Sequence, residues 1–281
     1  MILLGKIVAE EIEKKIKQDI ERLGHPPGLA VLLIGNNPNS KTYVKMKHLA
    51  CQKVGIHFFL HHLPDTITEQ EVIAIVNQLN QTLDIHGILI QLPLPRHIDP
   101  IRILETVDPL KDVDGLHPTN LGKMISGRKQ GFIPCTPLGI KYLLDYYKIS
   151  IEKKHVVIIG RSTIVGKPLA ALLMQNAPGY NATVTVVHSY TPNLIFFTQQ
   201  ADILIVAVGI PRFVKADMIK EGAIIIDVGI NHEEGSLVGD VDFENVEKKC
   251  KAITPVPKGV GPMTVAMLLY NTLLAYLQAS C

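Results

Sequence analysis

The sequence predicts an α/β protein of two layered domains, in which parallel strands are covered by helices. Three observations carry that expectation. Short, continuous apolar runs ending in glycine or proline alternate with amphipathic stretches, as buried parallel strands alternate with crossover helices. One stretch, VVIIGRSTIVGKP at residues 156–168, runs from an apolar strand through a short polar turn into helix-forming residues. The chain has 281 residues, more than a typical single domain, so there is room for two cores.

Composition narrows the class. Hydrophobic residues make up 47% and charged residues 19%, ordinary for a globular protein. A net charge of +2 with no long basic run gives no electrostatic reason for a nucleic-acid partner. Cys51, Cys135, Cys250 and Cys281 are scattered without a Cys-x-x-Cys pair, so they read as reduced thiols of a cytosolic protein. The opening MILLGKIVAEE turns charged too soon for a signal peptide. The apolar segment 263–277 is interrupted by Asn271 and reads as a buried helix, short of a membrane span.

Along the chain, Ile7, Ile12, Ile16 and Ile20 mark a helix over 7–23, and LAVLLIG at 29–35 is a buried strand. A helix over 40–54 follows, then IHFFLHHL. TITEQEVIAIVNQLN opens in helix-starting order, and IHGILIQLPLP holds the next strand. The second series has a helix at 138–147, strand 155–159, helix 164–175 and strand 183–187. Strands in ADILIVAVG and GAIIIDVG complete it, and a last helix at 262–278 returns to the first domain. The boundaries expected are 1–136, completed by 262–281, and 137–261, with a hinge at GFIPCTP. The second domain is Rossmann-like.

The turn in that domain departs from the usual Gly-x-Gly-x-x-Gly spacing. Gly160 supplies the tight turn and Gly166 the close helix–strand contact, while Arg161 and Ser162 stand where a phosphate would sit. Strand–Gly–helix joins are common, and alone this one does not decide. After the next strand comes VVHSYT, with His188 and Ser189 and no acid for a ribose 2′-hydroxyl. Arg161, Ser162 and Ser189 favour NADP over NAD.

In the first half, Tyr43 and Lys47 are four apart on one helix face, with Lys45 nearly opposite. Their order before the nucleotide turn excludes the Tyr–Lys pair of short-chain dehydrogenases, and an amphipathic face would present the same spacing. Gln91 ends an apolar strand, and the following Leu-Pro-Leu-Pro holds it at a sheet edge. Asp112 and Asp114 lead into Gly115, a sequence that an ordinary Asp-Gly turn would also use. The histidines lack the Cys and carboxylate partners of a zinc site, so no metal is expected.

Together these motifs, with KDVDG, PCTP, AVGIP, GAIIIDVGIN and ITPVPKGVGPMT in one order, carry a resemblance over nearly the whole chain. The chain resembles the bifunctional methylenetetrahydrofolate dehydrogenase/methenyltetrahydrofolate cyclohydrolases. The resemblance implies two α/β domains around a cleft, NADP on the Rossmann side and the folate's pterin end facing the first domain. It implies a catalytic Lys47, a Tyr43 that stacks on folate, Gln91 as the lysine's partner and Asp114 gripping the pterin. It further implies substrate contacts at Ile90, Leu92, Pro257, Gly259, Val260 and Gly261. Nucleotide contacts are implied at Gly160, Arg161, Ser162, Ser189 and Ile230. A homodimer is implied too, with tetrahydrofolate derivatives as partners and neither nucleic acid nor membrane. Two positions depart from the family: Tyr190 stands where many relatives carry Arg or Lys, and Lys258 where glycine is usual. A single-activity member and a non-catalytic nucleotide sensor remain as alternatives.

Overall fold

The computed structural model describes every residue except Lys129, Glu234, Ser280 and Cys281. The thiol expected at Cys281 therefore lies outside the described residues. In chain order the elements are α1 (Gly5–Ile20), β1 (Gly28–Ile34), α2 (Pro38–Val54), β2 (His57–Leu63), α3 (Glu69–Gln81) and β3 (Gly87–Ile90). Then come α4 (Pro100–Thr106), α5 (Pro118–Ile125), α6 (Cys135–Tyr146), β4 (His155–Ile159), α7 (Gly166–Leu173), β5 (Thr183–Val187) and α8 (Leu194–Thr198). The chain finishes with β6 (Ile203–Val206), β7 (Ile224–Asp227), β8 (Asn231–Glu233), β9 (Ser236–Val238), α9 (Phe243–Val246), β10 (Ala252–Ile253) and α10 (Val260–Ala279). Contacts divide it into two units. One comprises Glu10–Lys123, Arg128–Cys135 and Val265–Cys281; the other comprises Met1–Ala9, Met124–Gly127 and Thr136–Thr264. The first residues group with the later unit because Leu3 N donates to Ile253 O at 2.8 Å and Ile2 bridges Ile253.

In the first unit a parallel sheet runs in the order β2-β1-β3. β1 is buried throughout, as its unbroken apolar run requires of a central parallel strand. Val72, Val76 and Leu79 of α3 pack with Ala30, Leu32, Ile88 and Ile90 in one apolar cluster. Burying each such side chain contributes roughly 1.5–3 kcal/mol. α2 starts two residues earlier than expected, because Asn37 accepts a hydrogen bond from Ser40 N at 3.1 Å and Pro38 occupies the first turn. It stops at Gly55, whose φ of 92° no β-branched residue would adopt readily. β3 ends its sheet order, yet Ile88 also bridges Asp112, so the edge expected at Gln91 is partly covered.

α10 corrects one expectation. By length and composition it is apolar enough to cross a membrane, whereas the sequence reading placed it short. Just over half of its most apolar stretch, 56%, is buried inside the protein. Asn271, the polar interruption, is itself buried, and its Nδ2 donates to Val113 O at 2.8 Å and Ile133 O at 3.2 Å.

The second unit holds a five-stranded parallel sheet in the order β10-β7-β6-β4-β5. Its chain path turns to opposite sides of β4, so the order reverses between β4 and β6, where open α/β sheets place ligands beyond the strand ends. Val157, Ile159, Leu204, Val206 and Ile225 form its core. A β8–β9 hairpin, which the sequence reading did not anticipate, follows β7.

Candidate active site

The first unit gathers a polar group on three of its segments. α2 turns Lys47 toward the end of β3, where its Nζ donates to Gln91 Oε1 at 2.9 Å. Gln91 Nε2 donates onward to Leu92 O at 2.8 Å, which fixes the amide's orientation. Ile90 and Gln91 are buried, and Leu92 is half-buried at the cis Leu92–Pro93 bond. Lys47 keeps partial exposure as a residue, but its ammonium is desolvated, and that burial pulls its pKa below the usual lysine range. The charge on Asp114 opposes the shift. Burial pushes the Asp114 carboxyl up, opposed by the Lys47 charge and by a hydrogen bond from Cys135. Tyr43 shares the helix face, half-buried, and burial raises its phenol, whereas Lys45 is exposed.

Two of these neighbours were missed in the sequence. Cys51 lies one turn after Lys47, and burial pushes its thiol up to about 12. Cys135 is buried, donates to Val113 O at 3.3 Å, and is pushed well above the ordinary thiol range, first by burial and then by Asp114. Both sulfurs therefore stay protonated at neutral pH and serve as apolar lining and weak donors, not as nucleophiles. The i, i+4 spacing to Lys47 was the signal for Cys51; no local spacing points to Cys135. Asp112, grouped with Asp114 in the sequence, instead accepts from Leu116 N at 3.2 Å, His117 N at 2.8 Å and Asn120 Nδ2 at 2.8 Å. Its work is to hold the loop that enters α5.

In the second unit the turn after β4 needs its glycines. Gly160 has φ of +118°, and a Cβ there would lie 2.2 Å from Ala207 O, beyond the end of β6. At Gly166 a Cβ would lie 2.2 Å from Gly160 O, so the first turn of α7 closes directly on the loop. Such a cradle leaves backbone close to any bound phosphate. Ser162 Oγ accepts from Val165 N at 3.2 Å. Arg161, Ser162, Ser189 and Ile230 are all exposed, and the Arg161 guanidinium lies 5.6 Å from the centre of the Tyr190 ring. The loops after β6 and β7 are tied by two buried carboxylates. Asp240 Oδ2 accepts from Val208 N at 2.7 Å and Gly209 N at 2.9 Å, and Asp227 accepts from Gly229 N at 2.9 Å and Val241 N at 3.0 Å.

The loop before α10 and the first residues of that helix also belong to this unit. Pro257 follows a cis bond and is exposed, Gly259 and Val260 are buried, and Gly261 is half-buried beside the Ile230 side chain. Lys258 has φ of +81°, a left-handed conformation in which a glycine would be unstrained, and its carbonyl accepts from Lys6 N at 3.1 Å. Its exposed side chain is free to differ from glycine while the backbone keeps the glycine-like path.

Residues 3–114 match the family described as tetrahydrofolate dehydrogenase/cyclohydrolase, catalytic domain, and residues 134–280 match its NAD(P)-binding domain. The chain belongs to the tetrahydrofolate dehydrogenase/cyclohydrolase family. The family expected from the motifs is borne out, and with it the α/β fold and the enzyme class. Relatives agree along the whole length. A bifunctional protein FolD of Protochlamydia amoebophila is 57% identical, covering 98% of this chain and 97% of its own. The solved FolD methylenetetrahydrofolate dehydrogenase/cyclohydrolase of Campylobacter jejuni is 48% identical with a TM-score of 0.95, covering 99% of both chains. The Trypanosoma brucei enzyme, solved in complex with NADP cofactor and inhibitor, is 37% identical with a TM-score of 0.94, covering 100% and 98%. Among the described residues of this family member, no group of three or more His, Cys, Asp or Glu could hold a metal ion.

Proposed function

We infer that the chain is a bifunctional one-carbon folate enzyme. It oxidises 5,10-methylenetetrahydrofolate to the methenyl form with NADP+ and hydrolyses that product to 10-formyltetrahydrofolate. The observation that carries the reading is the desolvated Lys47 amine held by Gln91 at 2.9 Å beside Asp114. NADP+, when bound, accepts the hydride that leaves the methylene carbon. The glycine-lined turn at 160–166 fits a dinucleotide's phosphates, with Arg161, Ser162 and Ser189 as the contacts for a 2′-phosphate and Ile230 along the nucleotide.

Lys47 serves the hydrolytic half. Water attacks the methenyl carbon, a proton leaves that water, and a ring nitrogen takes a proton as the C–N bond opens. A lysine at its ordinary pKa is only about 0.1% neutral near pH 7.4, so a base here needs the depression that burial supplies. The Gln91 oxygen accepts one amine hydrogen and leaves the lone pair free, without adding the negative charge that would raise the lysine again. Asp114 accepts hydrogen bonds from the amino-pyrimidine edge of the pterin, Tyr43 stacks on it, and Ile90, Leu92, Pro257, Gly259, Val260 and Gly261 line the folate.

By this reading residues 1–136, with 262–281, serve folate and residues 137–261 serve the nucleotide. A homodimer is part of the proposal, supported by exposed Phe59 and Leu60 on β2, an end strand of its sheet, and exposed Met46 and Leu49 on α2. The near-balanced charge supports the absence of a nucleic-acid partner, the free thiols of Cys51, Cys135 and Cys250 support a reducing, cytoplasmic setting, and the 56% burial of the most apolar stretch of α10 supports the absence of a membrane. The test is purified protein with methylenetetrahydrofolate and either NADP+ or NAD+, following methenyl and reduced-nucleotide absorbance together. Reduced nucleotide should appear faster with NADP+, and methenyl should decay to the formyl product. Nucleotide reduction without methenyl decay would leave a dehydrogenase alone.

A further inference from the structure

We propose that Tyr190 determines nucleotide specificity by acting as the platform that holds the Arg161 guanidinium in place. The proposal rests on the reading of Arg161 as a 2′-phosphate contact and goes beyond it. Tyr190 follows Ser189 directly on the turn after β5, so its ring stands beside the residues proposed for the 2′-phosphate. The residue is 81% exposed, with the Arg161 guanidinium carbon 5.6 Å from the ring centre. That is within cation–π range, about 6 Å.

The turn that carries the ring is fixed without it. His188 N donates to Thr191 Oγ1 at 2.9 Å, Tyr190 N donates to His188 Nδ1 at 3.2 Å, and Thr191 N donates to His188 O at 2.8 Å. The His188 ring meets the Tyr190 ring edge-on, with centroids 6.4 Å apart. A guanidinium lying over an aromatic face keeps its N–H groups directed outward in its own plane, where they can meet phosphate oxygens two at a time. An unrestrained arginine on an exposed turn would lose rotamer entropy on binding; one already resting on a ring loses less. The tyrosine thus acts by orienting the one charge that lies over it.

Kinetics of the full-length protein with both nucleotides test this. Tyr190→Leu should raise the KM for NADP+ about two- to five-fold, the size of an exposed cation–π contact, with the change falling on KM and not on kcat. The KM for NAD+ should not move. Tyr190→Phe keeps the ring and should restore the NADP+ value. In an Arg161→Ala background, Tyr190→Leu should add nothing, because the ring acts only through the arginine. If Arg161→Ala raises the NADP+ KM but Tyr190→Leu does not, the platform is overturned and the 2′-phosphate reading stands. Equal increases for NADP+ and NAD+ in Tyr190→Leu also overturn it, since the ring would then touch a part common to both. An Arg161→Ala variant with an unchanged NADP+/NAD+ ratio overturns the reading of Arg161 and this proposal with it.

Discussion

Lys47 sits under opposed influences: burial lowers its pKa, the charge on Asp114 raises it, and burial is the larger. The balance matters unequally to the two chemistries. Hydrolysis moves protons between water and folate nitrogen, so it needs a group that can hold and release one, the role proposed for the Lys47 amine. Hydride transfer needs alignment of the methylene carbon with the nicotinamide and no proton at that carbon. Lys47→Met keeps most of the stem's volume and removes the amine. Cyclohydrolase activity should fall by a factor of about a hundred or more, as for other missing acid–base groups. Dehydrogenase activity should fall less, so methenyltetrahydrofolate should accumulate; methenyl and NADPH absorbance in the variant, with circular dichroism as a folding control, read this. Cyclohydrolase turnover near wild type would remove the proton-shuttle role from Lys47.

At the level of elements, α10 shows where the sequence was legible and where it was not. Its apolar content announced a buried helix and Asn271 stood out as an interruption, but the partners of Asn271 lie 158 and 138 residues back at Val113 and Ile133. No local rule names partners at that separation. The same limit hid Cys135, whereas Cys51 was readable from its i, i+4 spacing to Lys47 on α2. Strands β1, β3 and β4 were plain because a buried parallel strand is an unbroken apolar run, while β8 and β9, three residues each, carry no such run. The two glycines at 160 and 166 were legible as a turn; that each is excluded from carrying a Cβ by a carbonyl at 2.2 Å needed the fold. Asn271 joins the segment that precedes Asp114 to the segment that precedes Cys135, so it steadies the carboxylate's surroundings. Asn271→Leu should cost about 2–3 kcal/mol, because it leaves the Ile133 carbonyl without this donor in a buried site and weakens the bonding of Val113. Denaturant titration should show that loss, and a stability within 0.5 kcal/mol or so of wild type would mean the carbonyls find other partners.

Over the whole molecule, buried aspartates brace loops near each proposed site, Asp112 in one unit and Asp227 with Asp240 in the other, and Asp112 and Asp227 carry the same electrostatic penalty. Burial pushes Asp112 from 3.8 up to about 6, against the hydrogen bonds it receives from Asn120, His117 and Leu116. Burial likewise pushes Asp227 from 3.8 up to about 6, against the amides of Asp240, Val241 and Gly229 and with added repulsion from Asp240. Because the native state holds these protons up to about pH 6 and the unfolded chain releases them near 3.8, the native state binds more protons in between. Stability from these groups is therefore full below the unfolded value and is lost as pH rises through the folded one. A shift of about two units corresponds to roughly 3 kcal/mol per group, an order-of-magnitude figure. Asp114, also raised by burial, adds in the same direction. His86, half-buried and lowered by burial and by Lys111, acts oppositely because its native form resists protonation, but as one partly solvated ring it is outweighed. The unfolding midpoint in denaturant should accordingly be lower at pH 7 than at pH 5, at matched ionic strength, by a few kcal/mol after extrapolation to water. Loops that brace the proposed sites thus reduce stability at neutral pH. A midpoint that rises between pH 5 and pH 7 would show that the hydrogen bonds to Asp112 and Asp227 outweigh their burial.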